Sequence, residues 1–239
     1  MDNSKFLRHL GDVFLTSSKH IVCHSISFNV SQYHSNRFLE YGIDEPITLT
    51  KAVNKRKAEY LAGRYVAREA LKKLTQQNYQ IPIGDNRAPQ WPDGISGSIT
   101  HTDTYALAAV SYFSVHQIIG VDLESWMSPS LAQELAPRII DASEQSLLER
   151  CELEFYQGIT LIFSAKESLY KALYPQVKQF FGFEDARVDW IEPSSGQFQI
   201  TLLRSLSAAY PKGWQAVGRY FVHKDVVLTI ITDATANVL

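Results

Sequence analysis

A chain of 239 residues, 45% apolar and 20% charged, is long enough for one large domain or two small ones, each with a core of its own. Its net charge of -2 and pI near 6.4 argue against a nucleic-acid binder, which normally presents a strongly basic domain. Two distant cysteines, Cys23 and Cys151, in no metal or redox spacing, fit a reducing compartment; with no secretory signal pattern and no run near the ~18 apolar residues of a membrane span, the sequence predicts a cytoplasmic protein.

In chain order, residues 21–30 (IVCHSISFNV) are rich in β-branched side chains and read as a strand, and 31–44 as polar turn. Residues 52–74 read as a helix, because Ala58, Leu61, Tyr65, Val66, Ala70 and Leu74 recur at three- and four-residue steps. Lys55, Arg56, Lys57, Arg64 and Arg68 load that helix with positive charge. Gly63 inside it costs up to about 1 kcal/mol relative to Ala, which points to close packing or ligand approach. Prolines and glycines make 82–98 a loop. Strands are expected at 98–101 and 105–112 around a polar turn, and at 116–124. A loop at 125–130 leads to helices at 130–138, 143–151 and 156–174. Asp141 and Ser143 are N-cap candidates, and Ser143 with Ser146 is no capping box. The last third alternates apolar and polar residues (ARVDWIE, QFQITLL, WQAVGRYFV, DVVLTIITD), as in an antiparallel sheet. The order predicts an α+β fold of two similar halves, residues 1–115 and 116–239.

Four segments could carry chemistry. In GVDLE (120–124), Asp122 and Glu124 are two apart on a strand and share a face, where a hard cation such as Mg²⁺ would relieve their repulsion. Taken alone, that pair reads better as a solvated strand end. In FSAKESLYK (163–171), Glu167 and Lys171 share a helix face among apolar neighbours, which is unlike an ordinary surface ion pair. In SITHTD (98–103), His101 sits between two hydroxyl residues at a strand end, a place for phosphate contact or for a structural histidine. The basic helix and Arg87 could meet nucleotide phosphates, though a charge run is more often a solvated face.

The common phosphate loops, the nucleophile elbow and the H-E-x-x-H zinc motif are absent. His20 and His24, four apart with Cys23 beside the latter, read as structural.

Together, SITHTD, GVDLES and FSAKESLYK resemble the signatures of the 4'-phosphopantetheinyl transferase superfamily. KRKAEYLAGRYVARE and NRAPQWP resemble its siderophore-synthase branch, the enterobactin-type enzymes. The resemblance covers roughly residues 50–175. It implies a pseudo-two-fold pair of α/β subdomains with the active site in the cleft between them. It also implies transfer of phosphopantetheine from coenzyme A to a serine of an apo carrier protein, with release of adenosine 3',5'-bisphosphate. On that resemblance Asp122, Glu124 and Glu167 hold Mg²⁺, and Glu167 or a metal-bound water takes the serine proton. Lys171 neutralises or protonates the leaving group. Thr100 and His101, with Thr100 where many relatives have Ser, and also Lys166 and Lys171, lie near the coenzyme A phosphates. Arg56, Lys57, Arg64 and Arg87 are candidates for the 3'-phosphate, and Glu144 in ASEQSLL matches a cleft glutamate. Trp126, Met127 and Leu131 are either a carrier-docking stretch or buried core. The expected partners are coenzyme A and an apo carrier with an acidic docking helix, with no nucleic acid and no stable membrane insertion. The expected state is a monomer, because one chain supplies both halves. The competing reading is a catalytically inactive coenzyme A or nucleotide-binding interaction module, which would be expected to have lost one of the three carboxylates.

Overall fold

A computed structural model describes residues 5–11 and 20–233. They form two compact units that divide between Gln117 and Ile118, and each unit is an antiparallel sheet with helices packed on it.

The first unit contains β1 (Leu7–His9), β2 (Val22–Phe28), α1 (Arg37–Tyr41), α2 (Asn54–Thr75), β3 (Ile95–His101) and β4 (Tyr105–Tyr112), with sheet order β1-β2-β4-β3. α2 buries Ala58, Leu61, Ala62, Val66, Ala67, Ala70 and Leu71 against Val22, Ile26, Ala106, Ala108 and Val110 of the sheet. Small residues on both surfaces let helix and sheet approach closely. Gly63 is one such close approach, where an added Cβ would come within 3.2 Å of Ile99 on β3. Packing is thus the reason for the mid-helix glycine. α1, inside the segment expected to be turn, ends at Gly42, whose φ of +61° is a left-handed cap conformation that glycine adopts without strain.

The second unit contains β5 (Ile119–Ser125), α3 (Pro129–Ile139), α4 (Ala142–Leu148), α5 (Phe155–Val177), β6 (Ala186–Glu192), β7 (Gln197–Leu202), β8 (Gln215–His223) and β9 (Val226–Thr232). The sheet order is β5-β9-β8-β7-β6. β9 is buried at every residue, as expected for a strand paired on both edges with covered faces. α5 lies across β5 and β9, with Ile162, Ala165, Leu169 and Leu173 in a core shared with Phe198, Ile200, Val227 and Ile231.

All the expected helices and strands form, with shifted ends. β3 begins at Ile95, three residues before the expected start, because Gly94 and Gly97 disguise a paired strand as loop. α4 opens with a capping box that the serine spacing did not suggest. Asp141 accepts from the Ser143 and Glu144 amides, and Glu144 Oε2 accepts from the Asp141 amide. Among the described residues both cysteines are free, and no helix is long and apolar enough to cross a membrane.

Candidate active site

The carboxylate strand and the lysine helix meet in the second unit. β5 contributes Asp122 and Glu124, and α5 contributes Glu167 and Lys171, one turn apart. Gly120 sets the approach of the two elements: a Cβ there would stand 1.9 Å from the Ser168 carbonyl and 2.7 Å from the Ala172 amide, so only glycine lets the helix backbone come down onto the strand. Two turns of α5 are then held by buried hydroxyls. Thr229 Oγ1 on β9 is 2.9 Å from Ser164 Oγ and 2.7 Å from Ser168 Oγ, while Ser164 Oγ donates to the Asp122 carbonyl at 3.2 Å. In an apolar interior such a linked set is costly unless satisfied, and here each hydroxyl has partners.

Lys171 Nζ donates to Asp122 Oδ1 at 2.6 Å, with Asp122 only 2% exposed. Burial pushes Glu124 up to about 8, the neighbouring Asp122 and Glu167 adding to the rise and Lys171 opposing it. Burial also raises Glu167, followed by the charge of Asp122, with Lys171 again opposing. The D-x-E pair is therefore not a solvated strand end. It belongs to a crowded acidic group against which a single ammonium is set. Among the described residues, no three His, Cys, Asp or Glu side chains are grouped closely enough to hold a metal ion.

Glu144 and Lys166 do not meet phosphate-facing surroundings. Lys166 Nζ donates to Glu144 Oε2 at 2.8 Å, to the Ile139 carbonyl at 2.7 Å and to the Phe183 carbonyl at 3.1 Å. An ammonium has three protons, so none remains for a ligand. Glu144 is fully buried, and its other oxygen accepts from the Val188 amide at 2.8 Å. The pair ties the ends of α3 and α4 to α5 and β6. In this structure the two residues, expected near coenzyme A, form a structural lock.

In the first unit, α2 has no acidic residue in its first turn, so Lys55, Arg56 and Lys57 stand at the positive end of the helix dipole. That placement opposes helix stability and favours an anion. Lys55 pairs with Asp103 at 2.7 Å, which puts the helix start beside the turn following His101. Arg56 lies 3.6 Å from Glu59, and Lys57 is 2.9 Å from Glu45. Arg64 is buried with its guanidinium 4.7 Å from the Tyr60 ring centre, and its Nε has no hydrogen-bond partner. Thr100 is buried and His101 half-buried at the end of β3. Arg87 is exposed, at a φ of +67° in a short helical turn at Asp85–Arg87. Trp126 and Met127 pack against the core of the second unit, whereas Leu131 is 42% exposed.

Clustered cations on one unit, and buried carboxylates with a lysine on the next, are groups that suit phosphate chemistry. The sequence matches two family models: the 4'-phosphopantetheinyl transferase N-terminal domain over residues 44–111 and the 4'-phosphopantetheinyl transferase superfamily over residues 118–231. Enterobactin synthase component D of Salmonella typhimurium is 43% identical over 213 residues, covering 89% of this chain and 86% of the relative. The Escherichia coli K12 protein of that name is 42% identical over 142 residues, 59% of this chain and 65% of the relative. The 4'-phosphopantetheinyl transferase PptT of Mycobacterium tuberculosis is 30% identical over 197 residues, 79% and 84% of the two chains. The chain belongs to the 4'-phosphopantetheinyl transferase superfamily. Its activity is transfer of the 4'-phosphopantetheine group of coenzyme A to an apo carrier protein.

Proposed function

We propose that this protein loads the carrier domains of a siderophore synthase, with Asp122, Glu124 and Glu167 holding Mg²⁺. The observation that carries the catalytic part is the Lys171–Asp122 ion pair, whose charges Glu124 and Glu167 both feel, on elements pinned together by Gly120 and the Ser164–Thr229–Ser168 hydroxyls. The donors suit the ion, being hard carboxylate oxygens without sulfur or imidazole. Their electrostatics suit it too, because burial and mutual repulsion hold Glu124 and Glu167 above the usual carboxylate range, a strain that a dication removes. The bound ion would neutralise the coenzyme A pyrophosphate and the charge appearing on the departing adenosine 3',5'-bisphosphate.

The protein's own groups do the rest. Glu167 accepts the proton of the carrier serine as the general base. The serine oxygen bonds to the β-phosphorus of coenzyme A as the pyrophosphate oxygen bridge breaks. Lys171 meets the negative charge on the departing oxygen. Thr100 and His101, with Arg56, Lys57, Arg64 and Arg87, hold the coenzyme A phosphates from the N-terminal half. The siderophore assignment rests on the relatives named enterobactin synthase component D.

The test is the intact mass of apo carrier domains from siderophore, polyketide and fatty-acid systems after incubation with this protein, coenzyme A and Mg²⁺. The expected result is a gain of one phosphopantetheine, fastest on siderophore carriers and lost on chelation. Equal rates on all carriers would overturn the siderophore assignment. Undiminished transfer in chelator would overturn the metal site. Coenzyme A binding with no transfer to any carrier would favour an inactive binding module.

A further inference from the structure

The first unit carries a second polar cluster, which includes none of the residues assigned above to the transfer reaction. His9 on β1 and His24 on β2 both lie on the face of the sheet that α2 covers, as do Leu7 and Ile26 of the same strands. The strand register pairs His9 with Ile26, which puts His24 on the diagonal, a separation that long side chains bridge. His9 Nδ1 and His24 Nε2 hydrogen-bond to each other at 3.1 Å, the donor set by the tautomers. On its other side, His9 Nε2 is 3.3 Å from the Tyr65 hydroxyl of α2. His9 is exposed and His24 half-buried, so the two converging nitrogens lie at the solvent edge of the helix–sheet layer.

We infer that His9 and His24 form a surface site for a borderline transition-metal dication of the Zn²⁺ or Cu²⁺ class, with Tyr65 orienting His9 from behind. Two imidazole nitrogens 3.1 Å apart can both reach one ion at the usual ~2.1 Å, subtending about 95°. That leaves room for water in the remaining positions. Ligation fixes the tautomers: the proton between the two rings is released from the converging nitrogens, leaving His9 protonated on Nε2, which donates to the Tyr65 oxygen, and His24 protonated on Nδ1. A ligating histidine typically has such an outer hydrogen bond, and here it is built in. The ring must be neutral to bind. Burial and then the neighbouring His9 hold His24 below the ordinary imidazole range, with Lys73 acting the same way and Glu69 opposing. Imidazole donors select against Mg²⁺, so this ion and that of the acidic cluster belong to different classes.

The experiment is a Cu²⁺ titration of the full chain in excess Mg²⁺, read by electron paramagnetic resonance and calorimetry. The expected result is one equivalent whose spectrum shows coupling to two nitrogens. It is lost in His9→Gln and in His24→Gln, and about tenfold weaker in Tyr65→Phe. All three variants are expected to keep wild-type phosphopantetheine transfer with Mg²⁺, which also reports that they fold. A spectrum without nitrogen coupling, or one unchanged in both histidine variants, would overturn the site. Because the readout is metal binding alone, it stands or falls independently of the siderophore and Mg²⁺ assignments.

Discussion

The two long helices, α2 and α5, each lie along an antiparallel sheet, yet they handle charge in opposite ways. α2 keeps Lys55, Arg56 and Lys57 in its first turn, where the exposed acids Asp103 and Glu45 partner Lys55 and Lys57 and Glu59 lies 3.6 Å from Arg56. α5 turns Lys166, Glu167 and Lys171 inward, onto Glu144, the acidic strand β5 and the backbone ends of neighbouring elements. The same helix-on-sheet frame thus gives a cation-rich rim in one unit and a reactive interior in the other. Charge at a helix end stays hydrated and can greet a ligand. Charge in the middle of the packed face shifts its protonation equilibria and has to be neutralised locally.

The contrast predicts a descending series of effects. Glu167→Gln keeps the shape of the side chain and removes the base, so transfer should fall by roughly 10²- to 10⁴-fold in an intact-mass rate assay while the urea midpoint holds. A rate within threefold of wild type would remove Glu167 from the chemistry. Lys166→Met strands Glu144 as a buried, unpaired charge and should cost about 3–5 kcal/mol in urea unfolding, much of it regained in the Lys166→Met, Glu144→Leu double variant. No recovery in the double variant would mean that the backbone carbonyls, not Glu144, need the lysine. Gly120→Ala forces α5 off β5 and should cost at least about 1–3 kcal/mol. Unfolding indistinguishable from wild type would show that the close approach relaxes freely. Arg56→Ala, on the exposed rim, should raise the coenzyme A KM about tenfold with an unchanged thermal midpoint. An unaltered KM would place the phosphate contacts elsewhere on α2 or on Arg87.

The strands and helices that bury a repeating face were legible from spacing alone: α2, α5 and the four C-terminal strands. Short elements were not. β1 has only three residues and no period to detect, and α1 is a five-residue helix in a polar stretch. The functional segments were legible as motifs, but their roles depended on partners distant in sequence. Asp141 and Glu144 have the spacing of a capping box, which was readable from the sequence. That Lys166 would reach 22 residues back to Glu144 was not, because a lysine in a motif looks the same whether its protons go to ligand or to backbone. In the same way, no local pattern joins His9 to His24; strand pairing does.

The order of β5-β9-β8-β7-β6 has a consequence for the timing of biosynthesis. β5, which bears Asp122 and Glu124, is joined to the rest of its sheet only through β9, and β9 is the final strand of the described chain. A ribosome has therefore translated more than a hundred further residues before the acidic strand gains its neighbour, whereas the first sheet has all its strands once β4 emerges. A nascent chain halted before Val226 would carry every candidate catalytic residue and still hold no active site.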